Sequence, residues 1–234
     1  MKNIVVSGAS KGIGRAIVLY FAQKGFNVAF CSRSEENLLK LKEEVLAINH
    51  EAIVLAIKAD VSKIKELHFF AEIVKANFDK IDVLVNNAGV FLQGNLTDME
   101  FDDFDTVLKT NLYSAFILTQ EFTPFFKNQN NGYIFNISSI AGLEAYKNGG
   151  AYNVSKHALT GFSKTLRNEL KDFNIKVSTV YPGATLTDSW AGVDLPENRF
   201  IPAEDIAKTI FNIYSLSDRT VVEDIILRPQ LGDI

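Results

Sequence analysis

The chain has 234 residues and a mass of 26.0 kDa, which leaves room for one or two domains. Hydrophobic residues make up 47% of the sequence and charged residues 22%, an ordinary globular balance that excludes collagen-like, disordered and disulfide-stapled proteins. The net charge of −4 argues against a general nucleic-acid-binding protein, because neutralising a phosphate backbone needs a basic surface.

Short apolar runs rich in β-branched and aromatic residues alternate with longer amphipathic stretches along the whole chain. This alternation is typical of βαβ units that build a parallel sheet. In chain order it predicts a strand at 3–7, a helix at 13–24, a strand at 27–31, a helix at 35–48, a strand at 52–58, a helix at 63–77, a strand at 81–85, a helix at 101–126, a strand at 132–138, a helix at 151–172, a strand at 175–181, a helix at 203–214 and a strand at 223–227.

No linker or repeat interrupts this alternation, so we expect one domain of the α/β class over residues 1–234. Ser34 and Ser62 are the predicted N-caps of the helices at 35–48 and 63–77, because a serine hydroxyl accepts the free N–H groups at the start of a helix.

Neither a membrane span nor a secretory leader is expected. The longest apolar runs, such as 16–22, are shorter than the roughly 20 residues that a bilayer helix needs. The chain begins with strand-like residues rather than a charged segment followed by a long apolar one. Cys31 is the one cysteine and lies in an apolar run, where a buried thiol is expected rather than a nucleophile. We therefore expect a cytoplasmic protein.

A glycine-rich turn, residues 7–14 (Ser-Gly-Ala-Ser-Lys-Gly-Ile-Gly), follows the first predicted strand and opens the first predicted helix. Glycines let the backbone approach a pyrophosphate closely, and the N–H groups and dipole of the helix start favour its negative charge. The spacing Gly-x-x-x-Gly-x-Gly therefore predicts a phosphate-binding turn, which we call the glycine turn.

The same turn also fits Gly-x-Ser-x-Gly, the nucleophile elbow of α/β-hydrolases, with Ser10 as the nucleophile. A hydrolase would also need a histidine downstream, and the candidates are His50, His68 and His157. All three fall in or next to predicted helices, whereas a triad histidine normally lies on a loop late in the chain. A serine hydrolase is therefore kept as a less favoured alternative.

Tyr152 and Lys156 lie four residues apart on the helix predicted at 151–172, so they share a face. A positive charge beside a phenol favours phenolate, which lowers the tyrosine pKa from about 10 toward working pH. Such a tyrosine is suited to general acid/base catalysis.

Four more features accompany this pair in a recognisable order: the glycine turn, residues 86–89 (Asn-Asn-Ala-Gly) after the fourth strand, Ser139 after the fifth, and residues 182–183 (Pro-Gly) after the sixth. Through this order and spacing the chain resembles the short-chain dehydrogenase/reductase family from residue 3 to about 227. The resemblance implies a doubly wound Rossmann fold with a seven-stranded parallel sheet in the order 3-2-1-4-5-6-7. It also implies an NADP(H)-preferring oxidoreductase of the carbonyl or 3-oxoacyl reductase type.

The resemblance also implies the catalytic residues. Tyr152 would donate a proton to the substrate carbonyl oxygen, and Ser139 would hydrogen-bond that oxygen. Lys156 would lower the pKa of Tyr152 and bind the nicotinamide ribose, and Asn111 would belong to a proton relay. A non-catalytic dinucleotide sensor stays as an alternative, although a pure sensor has no need of these residues.

The end of the second strand predicts NADP(H) over NAD(H). An acidic side chain there would bind the ribose 2′-hydroxyl, but the chain has Ser32 and Arg33, and a guanidinium suits a 2′-phosphate. Lys11 and Arg15 add to a local basic spot. Asn86 is expected in the adenosine wall, and the resemblance implies cofactor contacts at Gly8, Ser10, Lys11, Gly12, Ile13, Gly14, Ser32, Arg33, Asp60, Val61, Asn87, Ala88, Gly89, Tyr152, Lys156, Pro182, Gly183, Thr185 and Thr187.

The substrate lid is expected to be short, at 188–201, which indicates an open site for a small or protruding carbonyl or alcohol substrate. Apolar walls are expected from Phe91, Leu92, Leu143, Trp190, Leu195 and Phe200. No metal site is predicted. The helix predicted at 101–126 carries more apolar surface than one sheet face needs, so a homodimer or homotetramer is expected.

Overall fold

Parallel strands form the centre of the molecule. In this computed structural model, which describes residues 1–187, 190 and 192–234, the strands are β1 (Lys2–Ser7), β2 (Phe26–Ser32), β3 (Val54–Lys58), β4 (Val83–Asn86), β5 (Gly132–Ile137), β6 (Ile175–Pro182) and β7 (Asp224–Leu227). They pair in parallel in the order β3-β2-β1-β4-β5-β6-β7. The predicted doubly wound Rossmann fold and its strand order are confirmed.

Helices cover both faces of this sheet. They are α1 (Gly12–Gln23), α2 (Glu35–Ile48), α3 (Ile64–Asn77), α4 (Phe101–Leu108), α5 (Ser114–Gln129), α6 (Gly150–Leu170) and α7 (Ala203–Tyr214). The single helix predicted at 101–126 is wrong in one respect, because a π-helical turn at Lys109–Tyr113 separates α4 from α5. The third strand also begins at Val54, two residues later than predicted.

The core has two layers, one on each face of the sheet. Side chains of α1, α2 and α7 pack on one face, and side chains of α3, α5 and α6 pack on the other. In β1, Ile4 and Val6 face the first layer and Val5 faces the second, and all three are fully buried. This double burial explains why the strands are nearly continuous apolar runs in the sequence. Among the described residues, we find no helix with the length and apolar character to cross a bilayer.

The two predicted serine caps have different outcomes. Ser34 caps α2, since its hydroxyl accepts a hydrogen bond from the N–H of Asn37 at 3.4 Å. The cap predicted at Ser62 is wrong, because α3 begins at Ile64 and Lys63 takes the N-cap position. The hydroxyl of Ser62 instead donates to the carboxylate of Asp60 at 2.7 Å.

Gly132, at the start of β5, predicts a measurable effect on stability. A Cβ at this position would lie 2.1 Å from the ring of Phe126, which is itself fully buried. We expect Gly132→Ala to lower the free energy of unfolding by about 1–3 kcal/mol in urea denaturation, because the packed ring has to shift.

The matched control is Gly161→Ala in the middle of α6, where a Cβ would meet nothing within 4 Å. That change is expected to raise the free energy of unfolding by about 0.5–1 kcal/mol through helix propensity. Equal effects of the two substitutions would contradict the role assigned to the Phe126 contact.

Candidate active site

The carboxyl ends of the central strands place the predicted site residues along one edge of the sheet. The glycine turn follows β1, residues 87–89 follow β4, Ser139 follows β5 and Pro182 ends β6. These ends meet where the strand order reverses between β1 and β4, the position at which ligands bind in open α/β sheets.

The glycine turn is shaped by close backbone approaches. Gly8 and Gly12 have φ angles of +67° and +52°, the left-handed region that favours glycine. A Cβ on Gly8 would lie 2.7 Å from the Cα of Ala88, and a Cβ on Gly14 would lie 2.5 Å from the side-chain amide of Asn87. Side chains at these positions would push the glycine turn away from residues 87 and 88, so glycine keeps the turn close to the end of β4. A tight glycine turn that opens a helix fits the pyrophosphate of a dinucleotide.

Asn87 holds the glycine turn in place. Its side-chain amide donates to the carbonyl oxygens of Ser7 at 3.0 Å and Gly8 at 2.8 Å, and its backbone N–H donates to the hydroxyl of Ser7 at 3.1 Å. Asn87 therefore ties the end of β4 to the turn after β1.

The neighbouring Asn86 corrects a prediction. Its side chain is buried and its amide donates to Asn136 at 2.8 Å and Thr119 at 3.1 Å. Asn136 in turn donates to the hydroxyl of Ser163 on α6 at 2.8 Å. The side chain of Asn86 therefore joins β4 to β5 and α5 inside the core, and it does not line an adenosine wall.

The end of β2 presents Arg33 on the surface beside Asp60. Ser32 is buried and its hydroxyl donates to the carbonyl oxygen of Ser34 at 3.4 Å. Burial alone would raise the pKa of Asp60, but hydrogen bonds from Ser62 and the nearby charges of Arg33 and Lys63 outweigh it and lower that pKa. Arg33 thus lies close enough to Asp60 to affect its ionisation.

The basic spot expected near this strand end is smaller than predicted. Arg15 forms an ion pair with Glu44 of α2, so its charge is balanced within the chain. Lys11 and Arg33 are exposed, and their contact with a 2′-phosphate stays a prediction. Val61, expected with Asp60 in the adenine pocket, is buried against the second core layer.

The segment after β6 approaches the glycine turn. A Cβ on Gly12 would lie 2.8 Å from the methyl carbon of Thr187, and the hydroxyl of Thr185 donates to the carbonyl oxygen of Gly183 at 3.0 Å. Of the predicted lid, Asp188, Ser189 and Ala191 lie outside the described residues. Trp190 packs edge-on against the buried ring of Phe200, with ring centroids 5.3 Å apart.

Ser139, Tyr152 and Lys156 meet where β5 ends against α6. The hydroxyl of Ser139 is near enough to the Tyr152 phenol to act on its pKa. Lys156 is only 3% exposed, and its ammonium lies 5.5 Å from the centroid of the Tyr152 ring and donates to the carbonyl oxygen of Ile137 at 2.9 Å. Three of the four predicted catalytic residues therefore lie next to one another.

Burial controls the ionisation of this pair. It raises the pKa of Tyr152, which the hydrogen bond from Ser139 only partly offsets. It also lowers the pKa of Lys156 to about 8. Lys156 is not among the groups that act on the pKa of Tyr152 here, so its lowering of that pKa stays a prediction.

Asn111, the fourth predicted catalytic residue, lies buried in the π-helical turn. Its amide donates to the carbonyl oxygen of Val90 at 3.0 Å and to the hydroxyl of Ser155 at 2.9 Å, and its oxygen accepts from the N–H of Val90 at 2.8 Å. A Cβ on Gly89 would lie 3.5 Å from both the Asn111 oxygen and the Lys156 ammonium. Asn111 therefore reaches the same site, as π-turns at functional positions often do.

Ser155 is a site residue that the sequence analysis missed. Its hydroxyl accepts from Asn111 and donates to the carbonyl oxygen of Tyr152 at 2.8 Å. A serine within a helix carries no distinctive signal, since such hydroxyls usually bond to their own helix. The one signal in the sequence that could have identified Ser155 is its position three residues after Tyr152.

The serine-hydrolase alternative gains no support from the histidines. His68 contacts Glu121 at 2.6 Å, His157 contacts the carbonyl oxygen of Asn153 at 2.9 Å, and His50 is exposed in the turn after α2. Cys31 is fully buried and burial raises its pKa to about 12, as expected of an inert thiol. Within the part of the chain that the structure describes, no group of three or more metal-ligating side chains is found.

Comparison with known proteins gives consistent matches. The sequence profile described as short chain dehydrogenase matches residues 2–198. A sepiapterin reductase of Chlorobaculum tepidum is 37% identical, with 100% of this chain and 99% of the relative covered. A 3-oxoacyl-(acyl-carrier-protein) reductase of Staphylococcus epidermidis is 34% identical over 89% of each chain. The crystal structure of a metagenomic short-chain oxidoreductase in complex with NADP superposes with a TM-score of 0.86 at 30% identity, covering 99% of this chain and 98% of that one.

The buried Lys156 predicts a pH-dependent stability. Its pKa is about 8 in the folded chain and about 10.4 when unfolded, so between these values the unfolded chain binds a proton that the folded chain lacks. Raising the pH through this window therefore favours the folded state, by up to about 3 kcal/mol. In urea denaturation without cofactor, the free energy of unfolding of wild type should rise by this amount relative to that of Lys156→Met between pH 8 and pH 10.4.

The control for this prediction is Lys208→Met. Lys208 is exposed on α7, so its charge is not buried on folding and the difference in unfolding free energy between this variant and wild type is expected to stay flat over the same pH range. If the difference in unfolding free energy between wild type and Lys156→Met also stayed constant over this pH range, the Lys156 ammonium would have an ordinary pKa.

Proposed function

The chain belongs to the short-chain dehydrogenase family of oxidoreductases, and from this premise we propose that it is an NADPH-dependent carbonyl reductase, which also runs in reverse as an alcohol dehydrogenase. The observation that carries this proposal is the meeting of Ser139, Tyr152, Lys156 and Asn111 beside the glycine turn. A protein that only senses a dinucleotide has no use for a buried lysine and a tyrosine in this arrangement. Residues 1–234 would act as one dinucleotide-binding and catalytic domain.

Tyr152 is the proposed general acid. Because burial raises its pKa, the phenol is protonated at neutral pH and is ready to give its proton to a carbonyl oxygen. Ser139, already a partner of the phenol, would hydrogen-bond the same oxygen and stabilise the negative charge that develops on it. When bound, NADPH supplies the hydride that reduces the carbonyl carbon.

Lys156 would return a proton to Tyr152 and regain one from water, with Asn111 as a fixed polar group of the relay. The ammonium of Lys156 lies 5.5 Å from the centroid of the tyrosine ring, and Asn111 approaches the ammonium at Gly89. Asn111 is held on both sides, by the backbone of Val90 and by Ser155, so its position is fixed before any ligand arrives. Such fixed polar groups need little reorganisation during the reaction.

The cofactor would lie along the strand ends. The backbone of the glycine turn would hold the pyrophosphate, with Thr187 on its far side. Arg33 and Lys11 would bind the 2′-phosphate, and Asp60 together with the backbone of Ser32 and Val61 would lie beside the adenosine. Residues 87–89 would line the ribose wall, while Tyr152, Lys156, Pro182, Gly183 and Thr185 would surround the nicotinamide riboside. The NADP bound to the metagenomic relative supports the same cofactor here.

Association through α5 and α6 is part of the proposal. Tyr113 and Phe116 are 42% and 46% exposed on the outer side of these helices, and together with Leu112, Phe162 and other apolar residues they line a cavity of about 530 Å³. A second copy of the chain would cover this surface in a homodimer or homotetramer.

Replacing Tyr152 with Phe tests the chemistry. Tyr152→Phe is expected to lower kcat by about 10²–10⁴-fold, because the proton donor is lost, while NADPH affinity changes little. The loss of NADPH absorbance would be followed with ketones, aldehydes, quinones, sepiapterin and β-ketoacyl thioesters. Tyr20→Phe on α1, which keeps its ring contact with Phe211, is the control. Full turnover by Tyr152→Phe, or tight NADPH binding without turnover of any carbonyl by wild type, would refute the enzyme proposal.

Replacing Arg33 with Ala tests the cofactor. Losing a charge-assisted hydrogen bond to the 2′-phosphate should weaken NADPH binding about tenfold to a hundredfold and leave NADH binding nearly unchanged. Isothermal titration with both cofactors measures this difference. Arg15→Ala is the matched control, because Glu44 already balances that charge. Equal losses for NADPH and NADH in Arg33→Ala would count against the assignment.

A further inference from the structure

Two aromatic side chains stand beside Tyr152 with a large part of each ring exposed. Phe91, on the loop after β4, is 44% exposed, and Tyr146, on the loop before α6, is 42% exposed. The ring centroids of Phe91 and Tyr152 are 5.2 Å apart, and Tyr146 lies 6.5 Å from Tyr152 and 6.4 Å from Phe91. The three rings form one cluster around the proposed proton donor, which we call the aromatic corner.

The rings of the aromatic corner meet at steep angles. Phe91 is nearly perpendicular to Tyr152, at 88°, and Tyr146 is tilted by 50° from Tyr152 and by 42° from Phe91. Their edges and faces therefore point in different directions around the phenol. A flat ring placed there would meet an edge of one and a face of another, the arrangement that aromatic pairs prefer.

Backbone contacts hold the two loops of the aromatic corner together. The N–H of Gly94 donates to the carbonyl oxygen of Asn148 at 3.0 Å, and the side chain of Asn153 donates to the carbonyl oxygen of Tyr146 at 2.8 Å. Gly150 has a φ of +34°, and a Cβ there would lie 2.6 Å from the oxygen of Gly94. The corner is thus held in shape without a ligand, and binding a flat ring would need little rearrangement.

We propose that the aromatic corner selects substrates in which a flat, conjugated ring is attached directly to the reacting carbonyl. This inference rests on the proposed function, because it takes Tyr152 as the donor to the carbonyl oxygen. A carbonyl within reach of the phenol places its nearest substituent against Phe91 and Tyr146. Small aliphatic ketones and sugars would leave both rings exposed to water and would lack this contact.

The test compares three diones that share one reacting group: 1-phenyl-1,2-propanedione, 1-cyclohexyl-1,2-propanedione and 2,3-butanedione, each with NADPH. Wild type is expected to show a kcat/KM about tenfold higher for the phenyl compound than for butanedione, and several-fold higher than for the cyclohexyl compound, because ring contacts add to apolar burial. Phe91→Leu should remove most of the preference for phenyl over cyclohexyl, and Phe91→Ala should also remove the preference over butanedione. Tyr146→Phe keeps the ring and should keep both preferences.

Phe69→Ala is the matched control, since Phe69 is a 55% exposed phenylalanine on α3 and should leave the three kcat/KM values unchanged. Equal kcat/KM values for the three diones in wild type, or a loss in Phe91→Ala that is the same for all three, would overturn the inference while leaving carbonyl reduction intact. Turnover of none of them, together with none of the wider carbonyl panel, would overturn the proposed function and this inference with it.

Discussion

The candidate site depends on the close approach between the glycine turn after β1 and the end of β4. Gly8 lies so near Ala88, and Gly14 so near Asn87, that a single added carbon at either glycine would overlap with its neighbour. Asn87 closes this contact with two hydrogen bonds to the turn. The contact brings together a phosphate-binding turn and the loop that leads to Phe91 and Asn111. One junction between the adjacent strands β1 and β4 therefore positions both the phosphate-binding turn and the loop after β4.

The second constraint is electrostatic. Lys156 is a lysine in the interior, and its burial is offset by a hydrogen bond to the carbonyl oxygen of Ile137 and by the face of the Tyr152 ring. Its lowered pKa and the raised pKa of Tyr152 have the same cause, which is the poor solvation of charge at this position. Removal from water therefore favours the neutral forms of both partners. A lysine and a tyrosine poised in this way can exchange protons with bound groups at modest cost.

The sequence was sufficient for the architecture and for the candidate residues, because both depend on local patterns. Apolar runs such as β1 and β2 are buried on both faces, and their alternation with amphipathic helices leads to the parallel sheet. Motif order then picked out Asn111, Ser139, Tyr152 and Lys156. The sequence does not show which residue each side chain bonds to in the folded chain. Asn86 and Asn87 are adjacent and chemically identical, yet β-strand alternation sends one into the core and the other to the glycine turn. The pairing of Arg15 with Glu44 likewise depends on how α1 packs on α2.

The π-helical turn at Lys109–Tyr113 has a consequence for how α4 and α5 relate to each other. A π-turn carries one residue more than an α-helical turn, and in an α-helix one residue corresponds to a rotation of about 100°. The apolar stripe of α5 is therefore out of phase with that of α4, and the two stripes face different directions. Phe101 at the start of α4 and Phe116 in α5 are 75% and 46% exposed, in a segment whose sequence reads as one unusually apolar helix. The irregularity that presents Asn111 to the site thus also divides the apolar residues of this segment between two helices.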